Sequence, residues 1–168
     1  MNNLFTAFVL LFTVFVSVHA GEDASQYRMS ITISPFHLFN PELHITGELR
    51  LAPKMSAAAM LGAGMVTDEG KSYAIWEAGG QFRYYLIGSF THGLMLGADV
   101  GYIDVNGQME NPMAYYVGAH AGAFLGYKIA TKTGFTLELQ YGPLYVRENA
   151  NNTELQTLIN FKVGWSFF

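Results

Sequence analysis

From Tyr27 to the end of the chain, apolar and polar residues alternate with period two through eight successive runs, and the apolar side of each run is nearly free of charge. Period two sends alternate side chains to opposite faces of a strand, so the pattern commits the chain to β-sheet. The first run, YRMSITIS, sets Tyr27, Met29, Ile31 and Ile33 against Arg28, Ser30, Thr32 and Ser34. The second, LHITGELRL, sets Leu43, Ile45, Leu49 and Leu51 against His44, Thr46, Glu48 and Arg50. Further runs fall near 55–66, 73–87, 92–104, 115–129, 134–147 and 154–168. Several exceed the roughly 5–6 residues usual for a globular strand and suit a tilted strand that crosses a bilayer in about 9–11.

The connections divide into two kinds. LAPKM, IGSFTH and IATKTG are short, whereas VTDEGKSY, VNGQMENPMAY and RENANNTE are longer and polar, with FHLFNPE compact on that same side. Short turns at one end and longer loops at the other are what a transmembrane barrel shows when both termini lie on the short-turn side.

Alternation alone also fits a soluble sandwich, so the content of the polar face decides between them. That face carries Gly62, Gly64, Gly79, Gly97, Gly101, Gly118, Gly122 and Gly126 among Glu48, Arg50, Glu77, Gln81, Arg83, Asp99, His120, Glu138, Gln140, Asn160 and Lys162. Glycine weakens a strand unless another group must approach closely, so a glycine-rich charged face reads as a crowded interior. The opposite face, with Leu49, Leu61, Phe82, Leu96, Val100, Leu125, Leu139, Ile159 and Phe161, reads as the exterior. A continuous apolar exterior aggregates in water and is what hydrocarbon requires. Aromatic residues then fall near the strand ends of the outer face: Tyr27, Tyr84, Tyr127, Trp165 and Phe167 at the short-turn end, Trp76, Tyr102, Tyr115 and Tyr145 at the other. These form two interfacial girdles. A bare backbone in hydrocarbon costs several kcal/mol per group, so the final run INFKVGWSFF must close the sheet against the first.

Charge and composition agree with this reading. Charged residues make up 13% of the 168-residue chain, against about a quarter in soluble domains. Nine Lys and Arg against thirteen Asp and Glu leave no basic footprint for nucleic acid. The absence of cysteine removes disulfides and thiolate metal sites. Ahead of the runs, residues 4–18 are apolar and end at Val18-His19-Ala20, the pattern of a signal peptide cleaved after Ala20, although the preceding MNN carries no Lys or Arg. The expected division is a signal peptide over 1–20, a short segment over 21–26 and a barrel over 27–168.

The chain resembles the small eight-stranded bacterial outer-membrane β-barrel proteins, the class that includes OmpA-like and OmpX-like transmembrane barrels. The resemblance rests on strand count, loop asymmetry and the aromatic terminal strand, and extends to an uncharacterised family of short barrels through SPFHLFNPELHITGELRLAPKMSAAAMLGAGMV and GGQFRYYL. It implies an all-β, eight-stranded antiparallel up-and-down transmembrane barrel, monomeric, in the bacterial outer membrane. It also implies contact with outer-membrane lipid and lipopolysaccharide, and with the barrel-assembly machinery through the C-terminal strand. Lys162, Gly164, Phe167 and Phe168 match the family's terminal signal imperfectly, since by parity Phe167 and not Phe168 takes the lipid face.

Eight strands enclose only enough room for side chains, so no open pore is expected. Arg28, Arg50, Arg83 and Lys162 are read as partners of Glu48, Glu77, Asp99 and Glu138 in an interior polar network, because buried charges must be paired. A polar plug explains such a network, and a gated ion path or small-ligand site is the functional rival. A lipid-modifying enzyme needs a nucleophile and base where lipid can reach them. His44 and His120 instead take the inward parity, so no catalysis is expected. His37, His44, His92 and His120 have no metal-ligand spacing, LGAGMV opens no helix, and no cofactor is expected. Acidic loop residues Asp68, Glu69, Glu110, Glu148 and Glu154 read as solvated charges, with a Ca²⁺ bridge to lipopolysaccharide the sharper alternative. The expected role is structural or interactive, through loops 67–72, 105–114 and 147–154. A soluble periplasmic barrel holding a lipophilic ligand is the alternative from another class.

Overall fold

The computed structural model describes residues 27–35, 42–68, 71–106, 118–149 and 152–168. Eight strands run in chain order: β1 (Met29–Ile33), β2 (Glu42–Ala52), β3 (Met55–Asp68), β4 (Lys71–Ser89), β5 (His92–Asn106), β6 (Gly118–Ala130), β7 (Phe135–Asn149) and β8 (Asn152–Phe167). Each pairs antiparallel with its chain neighbours, and β1 pairs with β8, so the sheet is a closed up-and-down barrel. The joining seam runs from Met29 opposite Phe167 to Ile33 opposite Val163. The signal peptide and segment expected over 1–26, and Tyr115, lie outside the described residues.

The three short connections tie one end of the barrel together. The β6–β7 turn closes with the Gly134 amide donating to Thr131 O at 2.9 Å, and Gly134 sits at φ +94°, where a side chain would be strained. Backbone bonds also cross between turns: the Tyr85 amide donates to Lys54 O and the Ala130 amide to Thr91 O.

At the other end the structure departs from the expected loops. The strands carry on through the polar stretches, with Asp68 opposite Lys71 and Asn149 opposite Asn152, so the connections there shrink to 69–70 and 150–151. Those stretches are polar because they rise past the apolar belt, and they keep strand pairing as they do so. The connection 107–117, which holds most of the expected loop 105–114, lies outside the described residues.

Candidate functional site

The pleat sorts side chains into two populations, and the interior is the polar one. Ser30, Thr32, His44, Thr46, Glu48, Glu77, Gln81, Arg83, Asp99, His120, Lys128, Glu138, Gln140, Asn160 and Lys162 are all buried. The outer wall carries the exposed apolar side chains, including Leu49, Leu61, Phe82, Leu96, Val100, Leu125, Leu139 and Ile159.

Glu48 is the hub of the interior. Its carboxylate accepts hydrogen bonds from Ser56 Oγ at 2.5 Å, Tyr85 OH at 2.9 Å and Ser30 Oγ at 3.1 Å. It also pairs with Lys128 Nζ at 2.6 Å and Arg83 Nη1 at 2.8 Å. Arg83 reaches on to Glu138 at 2.9 Å and donates twice to Gln81 Oε1, at 2.6 and 3.1 Å. Gln140 Nε2 donates to Glu138 Oε1 and to Gln81 Oε1, which ties strands β4 and β7 together across the lumen. Gln81 Nε2 then donates to Asp99 Oδ2. Buried carboxylates and a guanidinium with no exposed surface are tolerable only with such complete partnering.

The network continues toward the long-loop end through histidine. His120 Nε2 lies 3.0 Å from Asp99 Oδ1 and 3.8 Å from Glu77 Oε1, and His44 Nε2 lies 3.6 Å from Glu77 Oε2. Lys162 Nζ donates to Thr46 Oγ1 at 3.1 Å. Toward the short-turn end the polar hub abuts an apolar cluster of Tyr27, Tyr85, Phe90, Met95, Phe124 and Ala130. Lys128 bridges the two, its ammonium 3.7 Å above the Phe90 ring, a cation–π contact that adds to its ion pair. Phe124 lies flat over Gly97, where any side chain would collide with the ring. The lumen is therefore filled by side chains at this level.

No protein-family model, curated protein or solved structure matches the chain.

The structure joins Glu48, Arg83 and Glu138 of the expected network directly, reaches Asp99 through Gln81, and reaches Glu77 through His120. Arg28 is exposed and Arg50 is half-buried. Tyr27, expected on the outer wall, is only 5% exposed and donates from its hydroxyl to Thr131 O and Lys132 O. The cause lies in the backbone at Arg28, whose N–H bonds Phe167 O on β8 while its C=O accepts from Arg50 on β2. In a regular strand both groups of one residue face the same neighbour. Here they face opposite ones, and the local twist breaks the alternation just before β1 begins.

Of the remaining girdle residues, Trp76, Tyr84, Tyr102, Tyr145, Trp165 and Phe167 are exposed on the outer wall and Tyr127 is half-buried. Trp76 Nε1 donates to Asp104 Oδ2 at 3.1 Å, and Trp165 packs edge-on against Phe135. His92, expected in a connection, opens β5 with Nε2 3.0 Å from Tyr127 OH.

Lys128 and Tyr85 are the interior residues that the sequence reading passed over. Parity was the available signal, since Lys128 shares a face with Gly126 and His120, and Tyr85 with Arg83 and Gln81. Among the described residues no group of three or more histidine, aspartate or glutamate side chains is arranged to hold a metal ion.

Proposed function

We propose that the chain is a bacterial outer-membrane β-barrel protein with a polar, plugged interior and no open pore, serving a structural or surface-interacting role. The observation that carries this reading is the inversion of polarity. Arg83, Lys128 and Lys162 have no exposed surface, while Leu51, Leu61, Tyr141 and Ile159 on the outer wall are each at least 60% exposed. A water-soluble barrel has the reverse arrangement, because its apolar side chains must find each other inside. The aromatic residues support the same reading, with Trp76, Tyr102 and Tyr145 on one side of the apolar wall and Tyr84, Trp165 and Phe167 on the other. Sheet closure leaves β1 and β8 paired with each other, as hydrocarbon demands of any spanning sheet.

The filled lumen favours a plug over a conduit. Its hydrogen bonds run between strands that are not neighbours, such as Lys128 on β6 to Glu48 on β2 and Arg83 on β4 to Glu138 on β7, so they brace the ring from within. The wall then has one shape to present to lipid, and the charged interior argues against a lipophilic ligand held inside. Interaction with lipopolysaccharide and recognition of β8 by the assembly machinery belong to this proposal.

The test is fractionation followed by electrophoresis of unboiled and boiled samples in detergent. A membrane-bound protein whose unboiled band runs faster is the expected result. Recovery from the soluble periplasmic fraction, with one mobility in both samples, would overturn the proposal in favour of a soluble ligand-binding barrel.

A further inference from the structure

The interior changes character part-way along the barrel. In the short-turn half the inward-facing Arg83, Tyr85, Met95 and Phe124 are at most 1% exposed, and their side chains close the lumen. In the long-loop half the strands turn the same face inward, yet Ile75, Ile103, Leu144 and Leu158 are only half-buried. The tight filling ends near Gln81, Gln140 and Asp99, which finish the hydrogen-bonded plug on that side.

Four titratable side chains stand at this boundary. Gly62 lies opposite His44 on β2 and opposite Glu77 on β4, and it brings no side chain between them, so His44 Nε2 comes within 3.6 Å of Glu77 Oε2. The His120 ring lies over Gly101, where a Cβ would strike it, with Nε2 3.0 Å from Asp99 Oδ1 and 3.8 Å from Glu77 Oε1. Glycine at these positions makes the wall out of backbone, and an eight-stranded barrel has width for one small ligand where its side chains do not meet.

Two polar atoms of this layer have no hydrogen-bond partner among the described residues: His120 Nδ1 and Asn160 Oδ1. Their residues are 7% and 3% exposed, and an unpartnered polar atom at that depth is costly. Asn160 stands opposite Gln140 of the plug. The Asp99 contact places the ring proton of a neutral His120 on Nε2, which leaves Nδ1 an acceptor, and Asn160 Oδ1 is an acceptor too. The charged groups here are Glu77 and Asp99, with no lysine or arginine among the described inward-facing side chains nearer the long-loop end than Asn160.

A ligand that suits such a place donates hydrogen bonds and carries positive charge. Among the described residues no three histidine, aspartate or glutamate side chains are arranged for a metal ion, so the fitting cation is an organic ammonium group. An apolar collar stands beside the acceptors. Ile75 is the next inward residue after Glu77, Ile103 pairs directly with Glu77, and Leu144 pairs with Gly122, two residues from His120.

We propose that the long-loop half of the lumen binds a small primary alkylammonium compound, its NH₃⁺ group donating to Glu77, His120 Nδ1 and Asn160 Oδ1 and its short chain lying against Ile75, Ile103 and Leu144. The ammonium has a donor for each of these acceptors. This goes beyond the membrane-barrel reading, since it needs the closed barrel and not the barrel's address. The plug below stays shut, so the ligand enters and leaves by the long-loop end.

The probe is n-butylammonium chloride, titrated into the isotope-labelled full chain with amide NMR shifts read strand by strand. The protein is held in nonionic detergent, or in buffer alone should fractionation find it soluble, so failure of the membrane reading does not decide this one. Shifts should gather at residues 75–79, 99–103 and 120–122 and leave residues 83–85 unmoved. Tetramethylammonium, with the same charge and no N–H, should bind at least about tenfold more weakly, the least that hydrogen bonds to a charged group supply. Glu77→Gln should weaken butylammonium by a similar factor. Ile103→Phe, which narrows the collar and keeps every charge, should weaken it too, so the test stands even if the glutamine variant does not fold; a dispersed amide spectrum shows folding in each. Shifts spread along the outer wall without gathering in the lumen would overturn the proposal. So would equal affinity for the two ammonium ions, or an affinity that both folded variants leave unchanged.

Discussion

Replacing Glu48 by Gln tests the interior most directly, because one carboxylate satisfies five donors. The exchange keeps the volume but removes the charge and turns one of two acceptor oxygens into an NH₂ group, where Ser56 and Tyr85 donate to one oxygen and Ser30, Arg83 and Lys128 to the other. Arg83 retains Glu138 and Gln81, so it is not stranded. Lys128 is: with no exposed surface, it would keep the Ser30 hydroxyl, the Phe90 ring and a neutral amide oxygen but lose its paired carboxylate. Stranding a buried charge costs about 3–5 kcal/mol. Adding Lys128→Met removes the stranded charge and leaves a side chain of similar length against Phe90, so the double variant should be more stable than Glu48→Gln alone. The assay is urea unfolding in lipid vesicles, with midpoints compared at equal slope. A loss for Glu48→Gln below about 1 kcal/mol, the worth of one ordinary hydrogen bond, would refute the hub. So would a double variant whose cost equals the sum of the two singles, since paired groups do not add.

Two further substitutions address the wall and the joint. Leu61, 66% exposed on the outer wall and flanked by Ile45 and Ala78, should cost about 2–4 kcal/mol when changed to Arg in a bilayer. The same change on a water-facing surface would shift stability by about 0.5 kcal/mol or less, and vesicle unfolding separates the two. Gly164→Ala would drive its new methyl into Ile31 O and the Thr32 backbone across the β1–β8 joint, whereas Gly47→Ala meets nothing within 4 Å. The first should abolish the fast-migrating unboiled band and the second should leave it unchanged. Equal behaviour of the two alanine variants would show that the joint does not limit closure.

The architecture was legible because period two is set by the pleat and does not depend on what surrounds it. Eight alternating runs, a glycine-rich charged face and a bare apolar face each follow from local geometry, and the barrel obeys them. What escaped the sequence is where alternation stops. At Tyr27 and Arg28 the backbone donates to β8 and accepts from β2, a long-range arrangement that no local pattern encodes, and it exchanges the expected places of the two side chains. The stretches TDEGKS and ENANNT were read as loops from their polarity, yet a strand that has risen above an apolar belt is polar too. Lys128 was hidden for a different reason. It sits near a strand end beside Tyr127, where a basic residue suggests solvent, and only the depth of the Phe90 and Tyr85 packing below it shows that it is inside.

A ring made from one chain has a single joint formed by residues far apart in sequence, and here that joint is as short as the β1–β2 seam, with five paired positions in each. β1 spans only Met29–Ile33, whereas β4 spans Lys71–Ser89. Every other seam is a hairpin whose strands are tethered at one end, so its halves find each other early; the joint must wait until the whole sheet has curled. A short clasp suits that order. Few rungs need to be found at once for the cylinder to lock, and pulling on Phe168 would open the same few rungs first. The seam that closes last thus lies where the chain's two ends meet, and Gly164, which lets the β8 backbone lie close against Ile31 and Thr32, sits on it.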